Sequence, residues 1–197
     1  IQSTFIEAAA ADTDGISTAA AVGDGANLVL GGALASGGAV TFDQPRNITI
    51  LSAGDDSGIS FTVTGTDETG TSATESITGA NAGTATGTAY FATITQIAAV
   101  GDPAGNVSAG SGTSIAAPMF RGRMRLRGIY AVNTGTAGTT TFRQTSSSGA
   151  VAMQFNTVAS ANTTQYPDIP DDGILFAAGG YVLYTQTTLS SITVFYS

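Results

Sequence analysis

Residues 54–70 restrict the fold more than any other stretch. Gly54-Asp55-Asp56-Ser57-Gly58 has the residue chemistry of a tight turn, and so does Asp67-Glu68-Thr69-Gly70. Between them Ile59, Phe61 and Val63 alternate with Ser60, Thr62 and Thr64. A period of two puts the apolar side chains on one face of a strand and the hydroxyls on the other. The same pattern recurs along the chain. Strands are expected at 27–30, 39–42, 46–52, 71–78 and 89–100, and again at 139–144, 150–155, 173–176, 181–185 and 192–196. In the last of these Ile192, Val194 and Tyr196 share a face. A short helix near 5–11 is the single helical candidate, and it is too short to stand alone. Short strands at near-regular spacing predict an all-β chain with two small antiparallel β-sandwich or barrel-like domains.

The boundaries follow from composition. Residues 1–26 read as an extended N-terminal arm, which at ~3.3 Å per residue could reach roughly 85 Å, across a neighbouring subunit. A frayed terminus is the other reading. The first β domain is placed at 27–100 and the second at 119–197. Residues 101–118, with four Gly, two Pro and three Ser, read as a linker between them. Domains this small are marginal alone, and oligomer contacts are a natural supplement.

The chain has 14 acidic residues, 6 Arg, no Lys, no His and no Cys. Residues 1–120 carry 11 acids and Arg46, a balance of −10; residues 121–197 carry 3 acids and 5 Arg, a balance of +2. The net charge of −8 weighs against nucleic acid and anionic membranes. No apolar run approaches the ~20 residues of a membrane span. The beginning lacks the basic and apolar regions of a secretory signal. Starting at Ile1 rather than Met suggests that a segment precedes it. Ala (32), Thr (31) and Gly (26) dominate, so the surface should be paved with small side chains that lose little entropy in lateral contacts.

Four of the six Arg fall at every second position: Arg121, Arg123, Arg125 and Arg127. On one strand they would line a face over roughly 20 Å, with Gly122, Met124 and Leu126 turned to the core. Three readings stay open: a solvated face opposite carboxylates, a docking surface for an acidic partner such as the acidic half of another copy, or an anion site for nucleic acid or glycan.

Motifs with apparent chemistry do not assemble into a catalyst. Gly112-Thr113-Ser114-Ile115-Ala116-Ala117-Pro118 resembles the nucleophile motif of subtilisin-like serine proteases, which would make Ser114 the nucleophile. That family needs a His as base, and the chain has none. The carboxylate pairs Asp12/Asp14, Asp55/Asp56, Asp67/Glu68 and Asp171/Asp172 sit beside Gly, where turn chemistry explains them. Asn47, Asn106 and Asn162 begin glycosylation sequons of the kind a Thr/Ser-rich chain yields by chance. No catalytic residue, metal or cofactor is expected.

Two groups of segments carry a resemblance. One comprises Val40-Thr41-Phe42-Asp43-Gln44-Pro45-Arg46-Asn47-Ile48-Thr49-Ile50, then Ser57-Gly58-Ile59-Ser60-Phe61-Thr62-Val63-Thr64-Gly65-Thr66-Asp67, with Glu75-Ser76-Ile77-Thr78-Gly79-Ala80-Asn81-Ala82-Gly83-Thr84 and Tyr90-Phe91. The other comprises Arg125-Leu126-Arg127-Gly128-Ile129-Tyr130, Ile169-Pro170-Asp171-Asp172-Gly173-Ile174-Leu175-Phe176 and Ser191-Ile192-Thr193-Val194-Phe195-Tyr196. Together they resemble small β-domain virion structural proteins of tailed bacteriophages. The resemblance implies a non-enzymatic, many-copy protein on the outer surface of the particle. It would be a head decoration or cement protein, trimeric, contacting the major capsid protein or other virion proteins. A tail, neck or fibre-base component is the alternative within that class. Outside it stands a carbohydrate-binding adhesive module, with Tyr166, Tyr181 or Tyr184 as its platform.

Overall fold

A computed structural model describes residues 1–159 and 163–197. The described residues contain no helix and form sixteen strands. In chain order they are β1 (Gln2–Ile6), β2 (Ser17–Ala20), β3 (Ala35–Ser36), β4 (Ala39–Ser52), β5 (Ser60–Asp67), β6 (Ser72–Thr78), β7 (Thr84–Thr86) and β8 (Phe91–Val100). There follow β9 (Val107–Phe120), β10 (Met124–Asn133), β11 (Gly138–Gln144), β12 (Val151–Thr157), β13 (Thr164–Gln165), β14 (Ile174–Phe176), β15 (Gly180–Thr185) and β16 (Leu189–Tyr196). All pairings with a defined register are antiparallel. The chain is all-β, as the alternation predicts.

The strands belong to two compact units. The terminal unit comprises Ile1–Ala9 and Ser114–Ser197; the inner unit is Ala10–Thr113. In the terminal unit one sheet runs β1-β16-β10, with β13 and β14 on the other edge of β10. A second sheet runs β12-β11-β15 and continues into residues 114–120 of β9. Ile6, Leu126, Ile129, Ile192 and Val194 of the first sheet meet Ile115, Ala117, Phe142 and Val182 of the second in one core, the packing of a β-sandwich. The inner unit has its own core around Phe61, Val63, Phe91, Ile94 and Ile97, under the strand order β4-β8-β5-β6.

Three expectations from composition differ from the structure. Residues 1–26 are not a free arm: β1 pairs with β16, and β2 pairs with β9. The helix considered near 5–11 is absent, because Phe5 and Ile6 close β1 against Thr193 and Ile192. Residues 101–118, read as a linker, hold most of β9, whose residues 107–112 are all buried. The small residues are there for packing. A Cβ on Gly110 would lie 2.2 Å from the carbonyl oxygen of Asp12, so the 12–15 turn closes over that position only if it is Gly. The unit boundary accordingly falls inside β9, between Thr113 and Ser114, and not in a loop.

Two of the five prolines lie in strands, both at register breaks. Pro45 is within β4 between Thr41 and Arg46, where the pairing to β8 shifts. Pro118 is beside the shift at Gly180/Tyr181. A residue lacking an N–H is tolerated in a sheet at such irregularities. As a result, the two expected strands 39–42 and 46–52 are one continuous strand.

Candidate docking surface

The arginine row is divided by the fold. β10 begins at Met124, so Arg121 and Arg123 lie in the bend before it, and only Arg125 and Arg127 are on the strand. The expected single face of four guanidinium groups is therefore not formed. Its cause is visible in the apolar spacing, since Met124 and Leu126 are buried and the next buried residues are Ile129 and Ala131. Leu126 pairs with Tyr196 and Gly128 with Phe195, leaving Arg127 as the extra residue of a bulge. The bulge lets Leu126 and Ile129 both face the core.

Arg125 and Arg127 face backbone oxygens. Arg125 Nη1 donates to the Asp172 carbonyl at 2.8 Å. Arg127 Nη1 donates to the Asp171 carbonyl at 2.7 Å, and its Nε donates to Ser197 Oγ at 3.0 Å. Both side chains thereby hold the turn closed by the Gly173 N–H on the Pro170 carbonyl at 2.7 Å. Gly173 has φ +69°, the left-handed region that a glycine supplies at least cost. Each guanidinium retains further donors for a second partner.

Beside this clamp lies an aromatic face that the sequence reading did not single out. On β16, Ile192, Val194 and Tyr196 point into the core, so Thr193 and Phe195 point out. Phe195 pairs with Ser3 on one side and Gly128 on the other; Thr193 pairs with Phe5 and Tyr130. Phe5 and Tyr130 are thus diagonal neighbours of Phe195, within reach of an aromatic ring. Phe5 is 62% exposed and Phe195 38%. Tyr130 meets Tyr166 in a tilted ring contact, centroids 5.2 Å apart, and Tyr166 is 68% exposed. The signal available in the sequence was Phe at outward positions where most other strands carry Thr or Ser.

Tyr166 also borders a groove of about 330 Å³ with Phe155, Asn156, Gln165 and Pro167. Tyr181 and Tyr184, the other expected platform residues, are buried in strand β15.

The expected small-residue surface has a definite place in the inner unit. The cross-strand pairs Ser60–Thr78, Thr62–Ser76, Thr64–Thr74 and Thr66–Ser72 run along the outward side of β5 and β6. They form a hydroxyl-lined face.

The remaining motifs resolve into structural roles. Ser114 lies in the middle of β9 opposite Thr185, not at a strand-to-helix turn. Asp12 Oδ1 accepts the Asp14 N–H at 3.3 Å, and Asp55 Oδ1 accepts the Ser57 N–H at 3.2 Å and hydroxyl at 2.7 Å. The Ser57 hydroxyl and N–H hold the Asp55 carboxyl below its ordinary pKa. Asp56 is buried, with Oδ1 accepting the Ala104 N–H at 2.7 Å. Among the described residues no three acidic side chains group as metal ligands. Asn47 is buried and its Nδ2 donates to the Gly87 carbonyl, so this sequon is closed in the folded chain; Asn106 is exposed. Asn162 lies outside the described residues.

In comparisons with known proteins, no family model and no curated protein matches the chain.

Proposed function

We propose that the chain is a structural protein of a tailed-bacteriophage virion. In this reading it is a capsid decoration (cement) protein on the outer surface of the head. It would act through contacts with the major capsid protein or other virion proteins and with further copies of itself, most simply as a homotrimer. The observation that carries an association role is the aromatic face of Phe5, Phe195 and Tyr130 beside the arginine clamp. Large apolar side chains on a sheet face in a chain whose other outward strand positions are mostly Thr and Ser mark an interaction surface. The phage assignment itself rests on the resemblance of the segments named above.

Two measurements test it. Gel densitometry of purified particles should give on the order of hundreds of copies per head. A count of about six or twelve, the multiplicity of a symmetric tail or neck ring, would move the chain to the tail, neck or fibre base. In a binding assay with heads lacking the protein, Phe5→Ser with Phe195→Ser should abolish attachment while leaving the circular dichroism spectrum unchanged. Attachment at wild-type strength would remove this face from the role.

A specific observation supports a second reading, a carbohydrate-binding adhesive module. Tyr166 offers an exposed ring and Asn156 and Gln165 offer amides in one groove. That combination suits the apolar face and hydroxyls of a sugar. A glycan array with hits lost in Tyr166→Ala would favour it over the virion role.

A further inference from the structure

The border of the aromatic face specifies what would cover it. Arg125 and Arg127 stand at the start of β10 and Arg121 and Arg123 in the bend just before it, with Asp171 and Asp172 in the turn that the clamp holds. Four arginines less two aspartates leave +2. A complementary surface therefore has an apolar centre and an anionic rim. The inner unit carries ten carboxylates against Arg46, a balance of −9, and Arg46 is buried with its Nη2 on Asp43 Oδ1 at 2.6 Å.

That unit offers such a surface where three turns meet. Asp24 Oδ1 accepts the Gly101 N–H at 2.8 Å and Asp56 Oδ1 accepts the Ala104 N–H, which brings the turns of Asp24 and of Asp55-Asp56 to the 101–104 turn that follows β8 and carries the exposed Asp102. Val100 at that strand end is 56% exposed. An exposed apolar residue thus directly precedes the Gly101 amide that Asp24 holds and lies two residues from Asp102.

We propose that the aromatic face of one copy docks head to tail on the Val100 acidic end of a second copy. The arginine rim, Arg123 and Arg127 foremost, meets Asp24 and Asp102, and Phe195 covers Val100. The contact pairs two different surfaces, so it is heterologous, and a rotation that closes it makes a ring such as a trimer. Guanidinium–carboxylate pairs across it can be bidentate, which fixes register as well as adding affinity. This proposal rests on the many-copy reading above for its biological setting, but its test needs only the isolated chain.

Sedimentation of the full chain should show concentration-dependent association that weakens from low to high salt, because exposed charges are screened. Arg123→Asp and Asp102→Arg should each weaken self-association by about tenfold, since each places like charges opposite one another. A double variant carrying Arg123→Asp and Asp102→Arg in one chain should restore it, because every head-to-tail contact then sets opposite charges against each other again. Phe5→Ser with Phe195→Ser should give a monomer with unchanged circular dichroism. A wild-type monomer at low salt would overturn the proposal. So would a double variant that fails to restore association, or indifference to Asp102→Arg combined with loss in the Phe variant, which is the pattern of a symmetric face-to-face dimer. Attachment to heads in high copy by a chain that stays monomeric sinks this contact and leaves the virion role standing; association without attachment does the reverse.

Discussion

Asp67 ties a turn to pH. Its Oδ1 accepts the Thr69 N–H at 2.8 Å, the Thr69 hydroxyl at 2.7 Å and the Thr71 N–H at 2.9 Å, closing the β5–β6 hairpin. Partial burial pushes the carboxyl up, and the bonds from Thr69, Thr71 and Gly70 outweigh it, so its pKa is held below the ordinary value. A carboxyl with a lowered folded pKa contributes fully above the unfolded value of ~3.9, and that contribution is lost as pH falls through the folded value. Asp67→Asn should therefore cost about 0.5–1.5 kcal/mol at neutral pH. In urea titrations the gap to wild type should narrow below about pH 4. A gap that is the same at neutral and acid pH would mean that the carboxylate charge is not its source. This turn was legible from Asp67-Glu68-Thr69-Gly70 alone, because an Asx turn is local chemistry. Gly65, two residues earlier, was not legible. A Cβ there would lie 1.9 Å from the Thr93 carbonyl oxygen, a constraint set by a strand almost thirty residues away.

Glu75 guards the edge of a sheet. Among the described residues β6 ends its sheet, and on it Ala73, Glu75 and Ile77 share the side opposite the hydroxyl row. An inward-facing charge is one of the ways an edge strand avoids pairing with another chain. Glu75 Oε1 accepts the Thr88 N–H at 2.6 Å and the Ala89 N–H at 3.1 Å, which draws the β7–β8 loop beneath the edge. Glu75→Val should release those two amides, with hydrogen exchange there faster by about tenfold, the equivalent of ~1.4 kcal/mol in local opening. It should also raise light scattering during refolding, since the edge becomes wholly apolar on its inner side. Unchanged protection at Thr88 and Ala89 would show that the loop is held by something else. The hairpin itself was readable from period-two alternation. The bulge at Arg127 was readable only in part: the apolar phase slips between Leu126 and Ile129, while the arginine spacing runs on undisturbed and suggests a straight strand.

For the molecule as a whole, the partition into units was the part least legible, and pairing distance explains why. β1 belongs with the C-terminal half because Gln2 through Ile6 pair with Tyr196 through Ile192, a contact no local pattern displays. Gly, Ser and Pro in β9 suggested a linker because composition does not record burial. Yet the two cores are separate clusters, one built on Phe142, Ile192 and Val194 and the other on Phe61, Phe91 and Ile97. The distribution of tyrosine makes their independence measurable. The chain has no Trp, and five of its six Tyr lie in the terminal unit, with Tyr90 in the inner one. Tyrosine fluorescence therefore reports mainly on the terminal unit, while far-ultraviolet circular dichroism reports on both. Phe61→Ala removes a fully buried ring from the inner core and should cost that unit about 3–5 kcal/mol. If each core sustains its own unit, urea unfolding of this variant splits into two steps. Circular dichroism should show a new transition at lower urea, with the tyrosine midpoint kept near its wild-type position. Should both signals move together to lower urea by the same amount, the strand shared at Thr113/Ser114 couples the units into one cooperative fold.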